Sequence, residues 1–112
     1  MSQNSDRYTY RITWSEDDGE FVGLCVEFPS LSWLAKSPEA ALKGIRSVVK
    51  KAVQDMENNG ETPPSPISGR SFSGKFVVRI PPEVHRALAI KAAEEGISLN
   101  RLVSSKLAGE IR

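Results

Sequence analysis

The chain has 112 residues, 39% of them hydrophobic and 26% charged, which is apolar content enough for one ordinary folded domain or two small ones. No apolar run approaches the length of a membrane-spanning helix, and a single cysteine with a single histidine excludes both an internal disulfide and a structural zinc site. The net charge of +1 conceals a split: residues 1 to 36 hold three basic against six acidic residues, residues 37 to 69 four of each, and residues 70 to 112 eight against four.

An acidic head and a basic tail point to two kinds of partner, something basic for the first half and a polyanion for the second. The opening Met1-Ser2-Gln3-Asn4-Ser5-Asp6 has neither the basic start nor the apolar core of a secretory leader, so the protein is expected in the cytoplasm. Tyr8, Tyr10, Ile12 and Trp14 then alternate with Arg7, Thr9, Arg11 and Thr13, the pattern of a strand with one buried face. Ser15 to Glu20 supplies a turn containing Asp18-Gly19, and Phe21 to Phe28 reads as the returning strand of a hairpin, ended by Pro29. Cys25, between Leu24 and Val26, reads as a buried thiol.

A third short strand is predicted around Leu31 to Ala35. Ser37 and Pro38 then form an N-cap and first-turn pair opening a long helix to about Asn58. Leu42, Ile45, Val48, Val49, Ala52, Val53 and Met56 line one side of that helix, opposite Lys43, Lys50, Lys51 and Glu57, so the helix should pack on the sheet. Asn59-Gly60 ends it. Residues 61–69, rich in Pro, Ser and Gly, read as a semi-rigid linker, which divides the chain into an α+β domain at 1–60, a linker at 61–73 and a second domain at 74–112.

In Lys75 to Ile80 the period-two rule puts Phe76, Val78 and Ile80 on one face of a strand and Lys75, Val77 and Arg79 on the other. Pro81 fits the end of that strand and Pro82 the first turn of a helix reaching about Glu95, with Val84, Ala87, Leu88, Lys91 and Ala92 along one stripe. Gly96 is the expected left-handed stop, and Ser98 the N-cap of a second helix carrying Leu99, Leu102, Val103 and Leu107. His85, just inside the first of these helices, reads as a partly exposed helix residue. A segment of about forty residues with one short strand cannot be stable alone, so two copies should pair around a two-fold axis into a two-stranded ribbon over four helices.

This order of alternating strand, Ile80-Pro81 exit and Gly96-Ile97-Ser98-Leu99-Asn100 resembles the ribbon-helix-helix repressors of the Arc and MetJ type over about Gly74 to Ala108. The resemblance implies that Lys75, Val77 and Arg79 enter the DNA major groove and that Ser98, Leu99 and Asn100 sit against a phosphate. Lys and Arg can donate to guanine O6 and N7, Val77 offers only an apolar contact, and the N–H groups opening a helix favour an anion. The competing reading makes Lys75 and Arg79 solvated charges that protect an edge strand from aggregation.

The strand-strand-strand-helix order of the first half, with Gly23-Leu24-Cys25-Val26-Glu27-Phe28-Pro29 and Ser37-Pro38-Glu39-Ala40-Ala41-Leu42, followed by a ribbon-helix-helix tail, is similar to the HicB antitoxins over nearly the whole chain. That resemblance implies a partial ribonuclease-H-like N-terminal domain that silences a small, basic, mRNA-cleaving HicA-like toxin, and a C-terminal domain that binds operator DNA as a homodimer or, through the N-terminal domains, a tetramer. Glu16, Asp17, Asp18 and Glu20, gathered at one hairpin tip, have the right sign for a basic toxin; the alternative is a solvated turn.

A metal-dependent nuclease would need several converging carboxylates, and Asp17, Asp18, Glu27, Asp55 and Glu57 are scattered over a turn, a strand and a helix end. No catalytic activity, cofactor or metal is therefore expected. The reading is an antitoxin that represses its own operon; its alternative is a stand-alone repressor whose N-terminal domain senses a ligand or drives oligomerisation. A third possibility is a toxin-binding protein whose basic tail merely dimerises.

Overall fold

A computed structural model of the protein describes residues 4–111. Met1, Ser2 and Gln3, part of the stretch read above for a leader, lie outside them, as does Arg112. The fold is α+β, with a three-stranded antiparallel sheet and three α-helices, and the chain divides into two compact units at Ser73–Gly74.

In the first unit, β1 (Tyr10–Ser15), β2 (Glu20–Cys25) and β3 (Ser32–Ala35) lie in the order β1-β2-β3. The register pairs Tyr10 with Cys25, Ile12 with Gly23 and Gly23 with Trp33. The predicted alternation therefore places Tyr10, Ile12, Gly23, Cys25 and Trp33 on one face, because successive residues of a strand point to opposite sides. Gly19, at φ +63°, closes the β1–β2 hairpin by donating its N–H to the Ser15 carbonyl at 2.9 Å.

Helix α1 (Pro38–Asn58) begins as predicted: the Ser37 hydroxyl accepts the Ala40 N–H at 3.1 Å, satisfying one of the amides that a helix start leaves without a partner. It packs on the sheet along Ala41, Ile45, Val49 and Val53, all buried. The core is Tyr8, Cys25, Ile45, Val49 and Val53, flanked by Tyr10, Ile12, Phe28 and Leu31. Leu42, expected inside, is instead 38% exposed, and Ala41 takes the inner place. Gly23 marks where the helix comes close: a Cβ there would lie 2.6 Å from the Ala41 carbonyl oxygen and 2.8 Å from Ile45 Cγ2, so the Ala41–Ile45 turn sits directly on β2.

Residues 61–69 do not behave as a free spacer. Tyr8 donates its hydroxyl to the Pro64 carbonyl at 2.7 Å, Ser68 donates to the Arg7 carbonyl at 2.7 Å, and a 3₁₀ turn forms at Ile67–Gly69. The segment is laid along the first unit by these bonds.

The second unit contains α2 (Pro82–Glu95) and α3 (Leu99–Ile111), with bounds at their N-terminal ends and at Glu95 that agree with the sequence reading. Gly96 stops α2 at φ +69°, the left-handed conformation that costs glycine nothing, and its N–H returns to the Ala92 and Ala93 carbonyls. The predicted strand over Lys75 to Ile80 is not formed: the described strands all belong to the first unit's sheet, and residues 75–80 carry no strand assignment. A strand exists only through a ladder of bonds to a neighbour, and a single copy of this unit has no second strand to supply one.

Candidate functional site

The second unit holds an open groove of about 760 Å³. Phe76, Val78 and Ile80 line it on one side, while Val84 and Leu88 of α2 and Leu99, Val103 and Leu107 of α3 line the others. The period-two split of the sequence is visible here, since Val77 and Arg79 are not among the lining residues. Val77 is 89% exposed and Arg79 is exposed. Lys75 departs from the prediction: expected beside Val77 and Arg79, it also borders the groove.

The apolar side of the unit is largely uncovered. Among its described residues only Ala92 and Leu102 are buried, whereas Phe76 is 73% exposed and Val78 59%. Side chains patterned as core thus meet water in the single chain. The unit has no cysteine and only one histidine, so neither a disulfide nor a zinc site supplements its small core.

At the start of α3 the Ser98 hydroxyl accepts the Arg101 N–H at 3.0 Å, and the Ser98 carbonyl takes the Leu102 N–H at 3.0 Å. The first-turn amides of Leu99 and Asn100 have no acceptor within the helix, as helix geometry requires. Both residues border the groove. Ser98, Leu99 and Asn100 therefore form one helix entrance, set beside the Phe76–Ile80 segment and not at a distance from it.

The acidic hairpin tip lies in the first unit. Glu16, Asp17 and Asp18 are exposed and Glu20 is partly buried. Two of these carboxylates have local partners: Glu16 accepts the Trp14 indole N–H, and Asp18 accepts the Ser15 hydroxyl at 2.7 Å. Among the described residues no three His, Cys, Asp or Glu side chains gather in a way that could hold a metal ion.

Sequence reasoning missed Glu27. One of its oxygens accepts the Thr9 N–H at 2.9 Å and the Cys25 thiol at 3.6 Å; the other accepts the Ile67 N–H at 2.9 Å and the Thr9 hydroxyl at 3.3 Å. Burial pushes the carboxyl up, but the hydrogen bonds from Ile67 and Thr9 outweigh it and hold Glu27 below the ordinary carboxylate range. Burial likewise raises the Cys25 thiol, which is free and buried as predicted, and pushes Tyr10 up to about 12. The returning strand, expected to reach Phe28, ends at Cys25 and leaves Glu27 in the turn that follows; a lone carboxylate in that apolar run was the available signal, since such a group persists only where donors surround it.

The model of the HicB family matches residues 57–107. The chain is thus similar to that family over the end of α1, the Pro-rich segment and most of the second unit, just under half of its length. Residues 1–56, which hold the sheet, lie outside the match. No curated protein matches the chain, and no solved structure does. No described helix is long and apolar enough to cross a membrane.

Proposed function

We propose that this protein is a HicB-type antitoxin that represses its own operon in the cytoplasm. The observation that carries the reading is the half-built second unit, with its groove, its amphipathic 75–80 segment and its helix opening at Ser98, in the stretch similar to the HicB family. A second copy of the chain fills the groove. Its own 75–80 segment then pairs antiparallel with the first, the missing ladder forms, and the unit becomes a ribbon-helix-helix dimer.

In that dimer Phe76, Val78 and Ile80 face the shared core, while Val77 and Arg79 of both copies face outward over a surface of major-groove width. Arg79 donates to guanine, Val77 meets a thymine methyl, and Lys75 contributes charge at the edge of the same ribbon. Ser98, Leu99 and Asn100 receive a backbone phosphate at the start of α3. The net positive charge of residues 70–112 supports a polyanionic partner, with affinity falling steeply as salt rises.

The first unit masks a small, basic HicA-like toxin, and the negative charge gathered at Glu16, Asp17, Asp18 and Glu20 supports that sign of partner. Its three strands and one helix fit a partial ribonuclease-H-like domain without a catalytic site, so the protein acts by binding. Co-expression of the tagged chain with the small reading frames flanking its gene tests the proposal. A stoichiometric basic partner whose growth arrest the chain relieves is the expected result; no partner, with tight salt-sensitive binding to upstream DNA, would leave a plain repressor.

A further inference from the structure

Residues 62–68 follow a period of three: Thr62, Ser65 and Ser68 are exposed, while Pro63, Pro64, Pro66 and Ile67 are partly buried. Three residues per turn is the period of the polyproline II helix, and Pro66, at φ −61° and ψ 135°, has the backbone conformation of one. The segment thus lies on the first unit in the manner of a bound peptide, one ridge outward. We propose that the surface around Tyr8 and Glu27 is a binding site for an extended proline-rich segment, filled in cis by residues 63–67 and open in trans to the same residues of a second copy of the chain. The site lies wholly within the first unit and is independent of the pairing proposed for the second.

The groups that hold the segment are positioned by residues outside it. The Tyr8 ring, set edge-to-face against Phe28 with centroids 5.4 Å apart, donates its hydroxyl to the Pro64 carbonyl at 2.7 Å. Glu27 is anchored through the oxygen that accepts the Thr9 N–H and the Cys25 thiol; its other oxygen, which also accepts the Thr9 hydroxyl, takes the Ile67 N–H at 2.9 Å. A donor for one carbonyl and an acceptor for an N–H further along suit a polyproline II chain, whose main-chain groups have no internal partners. Proline sharpens the match, because between 63 and 67 only Ser65 and Ile67 carry an N–H: Ser65 is on the exposed ridge, and Ile67 is the one that Glu27 meets.

Every copy of the chain presents the same segment, so what fits in cis fits in trans, and exchange of an identical element between copies requires only that its flanking joints open. Those joints are present. Gly60, at φ +77°, follows α1, and residues 71–74 are exposed and belong to no helix or strand.

Complementation between two full-length variants tests the site. One carries Tyr8→Phe with Glu27→Gln, which disables the site and keeps the segment; the other carries Pro64→Gly, Pro66→Gly and Ile67→Gly, which keeps the site and disables the segment. The Ile67 amide of the first variant should exchange rapidly when that variant is alone and slow about tenfold or more on mixing with the second, as regaining a hydrogen bond to a charged acceptor implies. No slowing on mixing, with both variants keeping a cooperative tryptophan-detected melt, would overturn the exchange between copies. If either variant fails to fold, a synthetic peptide of residues 61–70 in excess over the natural chain takes the place of the mixture. Faster exchange of the chain's own Ile67 amide would then support entry in trans, and exchange unchanged at millimolar peptide would overturn the site.

Discussion

Replacing Glu27 by Gln leaves a side chain of the same shape with one acceptor where there were two. The amide oxygen can keep either the Thr9 N–H or the Ile67 N–H, each held at 2.9 Å, and the amide NH₂ must then face the other donor. Losing one hydrogen bond to a charged acceptor costs about 1.5 to 3 kcal/mol, and the partly open position of Glu27 puts the figure near the lower end, about 1.5 kcal/mol. For a unit of this size that corresponds to a fall in Tm of about 6 to 12 °C. Both tryptophans, Trp14 and Trp33, lie in the first unit, so fluorescence of the full chain reports this melt alone. Hydrogen exchange of the Ile67 amide should accelerate in the variant. Because folding lowers the Glu27 carboxyl, its contribution is complete above the unfolded value of about 4.3 and disappears as pH falls through the lower folded value. The gap in Tm between the two proteins should therefore close in acid. A variant that melts within about 2 °C of the natural chain at neutral pH, with Ile67 protected as before, would refute the claim that this carboxylate fastens the segment.

The other predictions concern separate parts of the molecule. Leu88→Ala, in the groove wall, should weaken the dimer by about 2 to 5 kcal/mol, and an unchanged dissociation constant in sedimentation would remove Leu88 from the contact. Arg79→Ala should cost about 1 to 3 kcal/mol of operator affinity in a gel-shift or anisotropy titration, with the tryptophan-detected melt unaltered. Gly23→Ala should destabilise the first unit by about 2 to 3 kcal/mol, since its Cβ would lie 2.6 Å from the Ala41 carbonyl oxygen and 2.8 Å from Ile45 Cγ2, and a backbone atom cannot swing aside. A melt like that of the natural chain would mean that α1 slides over β2 more freely than this packing allows.

Elements whose signals are local were legible in the sequence. Alternation from Tyr8 to Trp14, the Asp18-Gly19 turn and the Ser37-Pro38 pair located the hairpin and the start of α1, and Gly96 located the stop of α2. The misses have physical causes of another kind. Leu42 sits at the edge of the apolar stripe of α1, and which edge turns inward depends on where the Ala41–Ile45 turn meets β2 at Gly23, which periodicity does not record. The fastening of residues 64–68 depends on bonds from Tyr8, Glu27 and the Arg7 carbonyl, reaching across as many as 61 positions, and on main-chain groups that every residue possesses. The 75–80 segment is the opposite case: its side-chain pattern is that of a strand, but the single chain holds no ladder partner for it among the described residues, and in the proposed dimer a second copy supplies one.

That contrast between the units has a consequence for regulation. The first unit encloses Ile45, Val49 and Val53 completely within one chain. The second exposes Phe76, Val78, Ile80 and Val84, so in the proposed dimer its stability grows with the concentration of the protein itself. In the proposed dimer the DNA-reading face, Val77 and Arg79, would be assembled by the same pairing that buries the opposite side of the segment. A chain at low concentration would thus mask a partner through its first unit without occupying an operator. Repression would begin only once copies are abundant enough to pair, which makes the half-built core the element that separates the two activities.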